Sequence, residues 1–142
     1  MVTRRARESD VPNLKILMDE LGYQVSIKTL SLQLGLYSQP GSMALVVECH
    51  ETNCIVGLVS GHVIPLIHQP GYLGRITSLV VSKDFRGKGV GLKLIEELET
   101  WFCEKHCLRY EVTSGEHRTL AHQFYEKQGY IPDERRFIKI PN

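Results

Sequence analysis

The sequence predicts an α+β fold: a mixed, mostly antiparallel sheet of six to seven strands flanked by about four helices. Three observations support this. Apolar, β-branched runs at 43–49, 54–64 and 72–81 are separated by short polar loops, the pattern of antiparallel hairpins. Two segments instead carry apolar residues at helical spacing, Leu14-Leu17-Met18-Leu21 and Leu94-Ile95-Leu98-Trp101-Phe102. The two kinds of element follow one another as β-α-α-β-β-β-α-β-α-β, an order that mixes hairpins with helical connections.

Each element has a local reason. Met1 to Ala6 reads as a strand. Ser9-Asp10 with Pro12 starts the first helix, and Gly22 stops it. A second short helix begins at Ser26 with Ile27, Leu30 and Leu34 on one face. Gln39-Pro40-Gly41-Ser42 is a turn. Met43 to Cys49 and Cys54 to Ile64 form a hairpin around His50-Glu51-Thr52-Asn53. His68-Gln69-Pro70-Gly71 turns the chain into Tyr72 to Val81. The helix Gly91 to Lys105 sets its apolar stripe against a charged face of Lys93, Glu96, Glu97, Glu99 and Glu104. Leu108 to Thr113 is a strand. Leu120, Ala121 and Phe124 mark a last helix ended by Gly129, and Phe137 to Ile140 closes as a strand.

Composition narrows the functional classes. The chain has 142 residues, enough for one domain spanning 1–142 with a substantial core. It is 42% hydrophobic and 23% charged, ordinary values for a globular protein, and the formal net charge of +1 gives no reason to invoke nucleic acid or a membrane surface. No apolar run approaches transmembrane length. The start Met-Val-Thr-Arg-Arg lacks an apolar signal segment, so a cytoplasmic location is expected. There the cysteines at 49, 54, 103 and 107 default to thiols, although Cys49 and Cys54 can face each other across their hairpin. Cys103, His106 and Cys107 lie close in sequence, but no second ligand pair completes a zinc site, and no metal is expected.

The most informative segment is Arg86-Gly87-Lys88-Gly89-Val90-Gly91, between the apolar run Ile76–Val81 and the long amphipathic helix. Three glycines let backbone N–H groups approach a ligand closely. The helix they open has unpaired first N–H groups and a dipole that favours anions. Arg86 and Lys88 add positive charge. The combination reads as a phosphate cradle; a plain strand-to-helix turn is the alternative. It is not a P-loop, because Gly-x4-Gly-Lys-Ser/Thr is absent. It is not the dinucleotide G-x-G-x-x-G either, because Leu92 stands where the third glycine belongs.

Arg-x-x-Gly-x-Gly after such a strand resembles the acyl-CoA signature of the GNAT superfamily of N-acetyltransferases. The segment Ala121-His122-Gln123-Phe124-Tyr125-Glu126-Lys127-Gln128-Gly129-Tyr130 resembles the family's A-x-x-(F/L)-Y-x-x-x-G-(F/Y) segment, in the expected order. The resemblance spans roughly Leu73 to Tyr130. It implies that the strands Ile76–Val81 and Leu108–Thr113 splay apart around acetyl-CoA. It implies that backbone groups of Leu79 and Val81 bond the thioester carbonyl and pantetheine. Arg86, Gly87, Lys88, Gly89, Val90 and Gly91 would take the pyrophosphate. Tyr125 matches the position of the acid that protonates the departing thiolate; a core tyrosine is the other reading. Arg118 stands where the family often has Asn, and either reaches a CoA phosphate or is solvated.

The pattern departs from the family at the base. Many members place a carboxylate on the cofactor-binding strand, where this chain has Thr77 and Ser78. An amine of pKa about 10.4 needs some group to take its proton. His62, His68 and Glu20 are the alternatives, with a water chain as another. The turn Leu21-Gly22-Tyr23 and the segment to Tyr37 lie where the family builds its acceptor pocket, so Glu20, Tyr23 and Tyr37 are the expected substrate-binding residues. Their surroundings lack the acidic cluster that a polycationic acceptor would favour. The expected partner is a small-molecule or peptide amine, with homodimer formation left open. The expected activity is acetyl transfer to a primary amine by direct attack. Its rivals are a catalytically weak CoA-binding sensor or regulatory module, and an interaction domain whose glycines only turn the chain.

Overall fold

A computed structural model describes residues 1–113, 119–133 and 136–141. The chain divides into two compact units, 1–112 and 113–142. The first unit holds one five-stranded sheet in the order β1 (Val2–Arg5), β2 (Ser42–Cys49), β3 (Cys54–Pro65), β4 (Tyr72–Val81) and β5 (Cys107–Val112). The first four strands pair antiparallel and β4–β5 is parallel, so the sheet is mixed. Its helices are α1 (Val11–Glu20), α2 (Ile27–Leu36) and α3 (Val90–Glu104).

Helix boundaries follow sequence chemistry. A 3-10 turn, Glu8–Asp10, leads into α1, which has Pro12 in its first turn. Gly22 takes φ +86° after its last turn. Ser26 caps α2, its Oγ accepting from the Thr29 N–H at 3.0 Å. Leu14, Leu17 and Met18 of α1 bury against Val46 and Ile55, with Leu30 and Leu34 of α2 packed alongside. Ile27, expected on the same face, is exposed at the first turn of α2.

The apolar stripe of α3 is fully realised. Leu94, Ile95, Leu98, Trp101 and Phe102 are all buried. Glycines on the sheet make the close fit: a Cβ on Gly57 of β3 would stand 2.8 Å from Val90 Cγ1 and 3.0 Å from Leu94 Cδ1. This seats the first turn of α3 directly on β3, beside the end of β4. The β2–β3 hairpin closes with Cys49 opposite Cys54, both as free thiols. Among the described residues no helix is long and apolar enough to cross a membrane.

The second unit holds α4 (Thr119–Lys127). Gly129, at φ +92°, ends it, and the Tyr130 N–H folds back onto the Tyr125 carbonyl at 3.0 Å. The expectation of six to seven strands is corrected to five among the described residues. Phe137 to Ile140 forms no strand. Its apolar run supplies side chains suited to a strand, but a strand exists only where a neighbouring edge accepts its backbone hydrogen bonds.

Candidate active site

The β4–β5 ladder ends at Ile76↔Val112, so Thr77–Val81 continue along β3 without a β5 partner. Which backbone groups face that open side follows from the register. The Ser82 N–H donates to the Val56 carbonyl at 2.8 Å, which makes the position facing Val56 a hydrogen-bonded one. Alternation then turns the Val80 groups toward β3 and those of Leu79 and Val81 away from it. The Val81 carbonyl confirms this by accepting from Arg86 Nε at 3.3 Å. Two N–H groups thus point out of the sheet edge, just upstream of the glycine loop.

In that loop Gly87 and Gly89 adopt φ +73° and +81°, and a Cβ on either would meet nothing within 4 Å. The glycines are required by left-handed backbone, and the space beside them is open. Gly89 is the N-cap of α3. The Lys93 N–H makes the first helical bond, to the Gly89 carbonyl at 3.0 Å, so the N–H groups of Val90, Gly91 and Leu92 have no partner within the helix. Lys88 lies over the Phe85 ring at 5.3 Å. Exposed Arg86 and Lys88, the orphan N–H groups and the helix dipole fit a diphosphate.

The loop is anchored from α1. Glu20 accepts from the Lys83 N–H at 2.7 Å and from Ser82 Oγ at 2.8 and 3.1 Å. The Lys83 N–H, then the Ser82 hydroxyl, hold its carboxyl below the usual range. Glu20, expected as an acceptor ligand or base, has both carboxylate oxygens bonded to the start of the loop.

A second polar group lies beside Thr77. The register of β3 and β4 shifts there, Ser60 facing Ser78 and Gly61 facing Ile76, which leaves Thr77 as the extra residue of a bulge. Thr77 Oγ1 lies 2.8 Å from Ser60 Oγ and 3.2 Å from the hydroxyl of Tyr37, the residue that ends α2. Ser60 also bonds Ser78 Oγ. The Tyr37 hydroxyl is 3.2 Å from His62 Nε2, and Ser42 Oγ is 3.0 Å from His62 Nδ1. Burial pushes the imidazole pKa below its ordinary value. Sequence reasoning singled out Tyr37 and His62 separately and missed Ser42 and Ser60. Ser60 was legible as the polar residue two before His62, hence on the same strand face.

His68 is not brought to this group. It sits exposed in the bend before β4, at the opposite end of that strand from the loop. The seven steps from Tyr72 to Leu79 span about 23 Å at strand rise. Tyr23 is half exposed between α1 and α2, outside the network. Tyr125 belongs to the second unit, where its ring packs edge-on against Phe124 at 5.4 Å and Tyr130 at 5.7 Å. Arg118 lies outside the described residues. Among the described residues no cluster of three or more metal-ligating side chains occurs.

Comparison with known proteins agrees with this geometry. Residues 12–130 match the model of the acetyltransferase (GNAT) family. An aminoalkylphosphonate N-acetyltransferase of Salmonella typhimurium is 31% identical over 85 residues, covering 60% of this chain and 55% of that protein; the match spans about half of the relative's length. The crystal structure of a Trypanosoma brucei acetyltransferase superposes with a TM-score of 0.84 at 26% identity, covering 99% of both chains. Glucosamine-6-phosphate N-acetyltransferase from Arabidopsis thaliana shares the fold, with a TM-score of 0.83 at 20% identity over 99% of this chain and 98% of that one.

Proposed function

The chain belongs to the GNAT acetyltransferase family, and from that premise we propose that it moves an acetyl group from acetyl-CoA to the primary amine of a small acceptor by direct attack. The observation that carries this reading is the juxtaposition on β4: two outward N–H groups, Leu79 and Val81, followed by an anion-binding helix start at Gly89–Leu92. Acetyl-CoA supplies an activated acyl group when bound. The Leu79 and Val81 N–H groups then take the thioester carbonyl and the pantetheine, and the bond to the carbonyl stabilises negative charge on its oxygen. Arg86, Lys88 and the first N–H groups of α3 hold the diphosphate. Tyr125, whose phenol is a proton donor, delivers a proton to the departing sulfur. We place the reaction in the cytoplasm, where the four cysteines stay as thiols.

The acceptors to try first follow two of the similar proteins, an aminoalkylphosphonate N-acetyltransferase and a glucosamine-6-phosphate N-acetyltransferase. The rival, a CoA-binding module without turnover, draws support from Thr77 and Ser78 standing where many relatives carry a carboxylate. Calorimetry with CoA, followed by thiol release from acetyl-CoA with 2-aminoethylphosphonate, glucosamine 6-phosphate and simple alkylamines, tests both. Binding with turnover supports the transferase. Binding with no turnover on any amine favours the module, and no binding refutes the cradle.

A further inference from the structure

Five hydrogen bonds join six side chains from four separate elements into one chain: Ser42, His62, Tyr37, Thr77, Ser60 and Ser78. One end is exposed. Thr77 is solvent-accessible and lies two residues before Leu79, where β5 no longer covers β4. The end beyond His62 is closed, with Ser42 buried at 8% exposure. Hydroxyl groups can accept one proton and pass on another, and His62 is the one member whose basicity falls near neutral pH. A bulge sets Thr77 out of register and toward this chain, so the arrangement is a product of the strand geometry.

We propose that the Thr77–Tyr37–His62 chain carries the proton away from the attacking amine, with His62 Nε2 as the terminal base. The inference rests on the acetyl-transfer reading for its chemistry. The ammonium N–H bond breaks toward Thr77 Oγ1. The Thr77 hydroxyl proton passes to the Tyr37 oxygen, and the Tyr37 proton passes to Nε2. The acceptor ends as a neutral amine and His62 as an imidazolium, which returns its proton to solvent after turnover. Both hydroxyls are restored, so Thr77 and Tyr37 are unchanged. The direction requires Nδ1–H to donate to Ser42 Oγ, leaving Nε2 to accept from Tyr37. In this way the chain replaces the carboxylate that positions 77 and 78 lack.

The charged groups around His62 are compatible with a neutral imidazole. Arg75 stands opposite it in the β3–β4 register and bonds Glu111 Oε1 at 3.3 Å, while Arg109 bonds the same carboxylate at 2.9 Å. Tyr37 faces it from the end of α2 and Ser42 from β2. Desolvation acts in the same direction by lowering the imidazole pKa. A base whose pKa is lowered stays competent through neutral pH, and activity falls as pH drops through that pKa.

Two measurements on the full chain test this. Nitrogen-15 chemical shifts of His62 in the ligand-free protein should show a neutral ring protonated on Nδ1 at pH 7; an Nε2–H tautomer or an imidazolium refutes the relay. The second measurement is the pH profile of kcat/KM with acetyl-CoA and 2-aminoethylphosphonate, or whichever amine of the panel above turns over. Tyr37→Phe and His62→Gln should each lower kcat/KM about 10²-fold at pH 7 and flatten its acidic limb. An acidic limb unmoved in both variants overturns the assignment. Failure of every amine to turn over refutes acetyl transfer itself, a result separable from the tautomer.

Discussion

Replacing Gly89 by alanine separates the cost of its conformation from the cost to its ligand. Gly89 holds φ +81°, and nothing lies within 4 Å of an added Cβ. The fold therefore pays no steric penalty, only that of a left-handed L-residue, about 1–2 kcal/mol. In a domain of this size that lowers Tm by roughly 2–8 °C. The effect on CoA should be larger. Gly89 fixes the direction of the orphan N–H groups of Val90, Gly91 and Leu92. Relaxing it toward ordinary dihedrals loses at least one hydrogen bond to a charged ligand, about 1.5–3 kcal/mol, or roughly 10- to 100-fold in Kd. Gly22→Ala is the matched control, with φ +86°, an equally empty neighbourhood and no place in the loop. Calorimetry with CoA and thermal melts of both variants check the argument. Equal Tm losses with weakened CoA binding in Gly89→Ala alone are expected. A Gly89→Ala protein that binds CoA within twofold of the parent would falsify the cradle.

Three further outcomes are expected. Tyr125→Phe keeps the ring and removes the proton, so kcat should fall about 10²-fold with CoA affinity unchanged, read by thiol release where chemistry limits the rate; near-parent kcat returns Tyr125 to a packing role. Gly74→Ala places a Cβ 2.7–2.9 Å from three atoms of the fully buried Phe102 ring. It should cost about 2 kcal/mol by overpacking, measured by urea unfolding, and an unchanged midpoint contradicts the packing described. Acid should weaken the fold through Asp10, which is buried against Arg4 at 2.7 and 2.8 Å and accepts from the Arg7 N–H at 2.8 Å. Burial raises its carboxyl pKa, but these donors outweigh burial and the net pKa lies below the ordinary 3.8. A depressed folded pKa gives stability that is present above the unfolded value and lost as pH falls through the folded one. Urea midpoints of the parent should therefore drop below about pH 3.8, and Asp10→Asn should flatten that slope.

Much of this protein is written in local sequence. Periodicity alone located α3, because a five-residue apolar stripe on a fifteen-residue helix can face only one way. Ser26, Gly22 and Gly129 marked helix ends because capping and left-handed turns are chemistry of single residues. The glycine loop was legible for the same reason, since left-handed glycines opening a helix are chemistry of single residues. What local sequence did not determine were matters of partnership. Phe137 to Ile140 has strand-like residues, and only a neighbouring edge decides whether they pair. Glu20 reads as a free carboxylate at a helix end until α1 brings it to Ser82 and Lys83, more than sixty residues away. The hydrogen bonds of Tyr37 to His62 and Thr77 cross 25 and 40 residues, and depend on a bulge invisible in the strand's apolar pattern. Propensity acts over a turn or a pleat; a proton route needs atoms within 3.2 Å, and only the packing of α2 on the sheet supplies that.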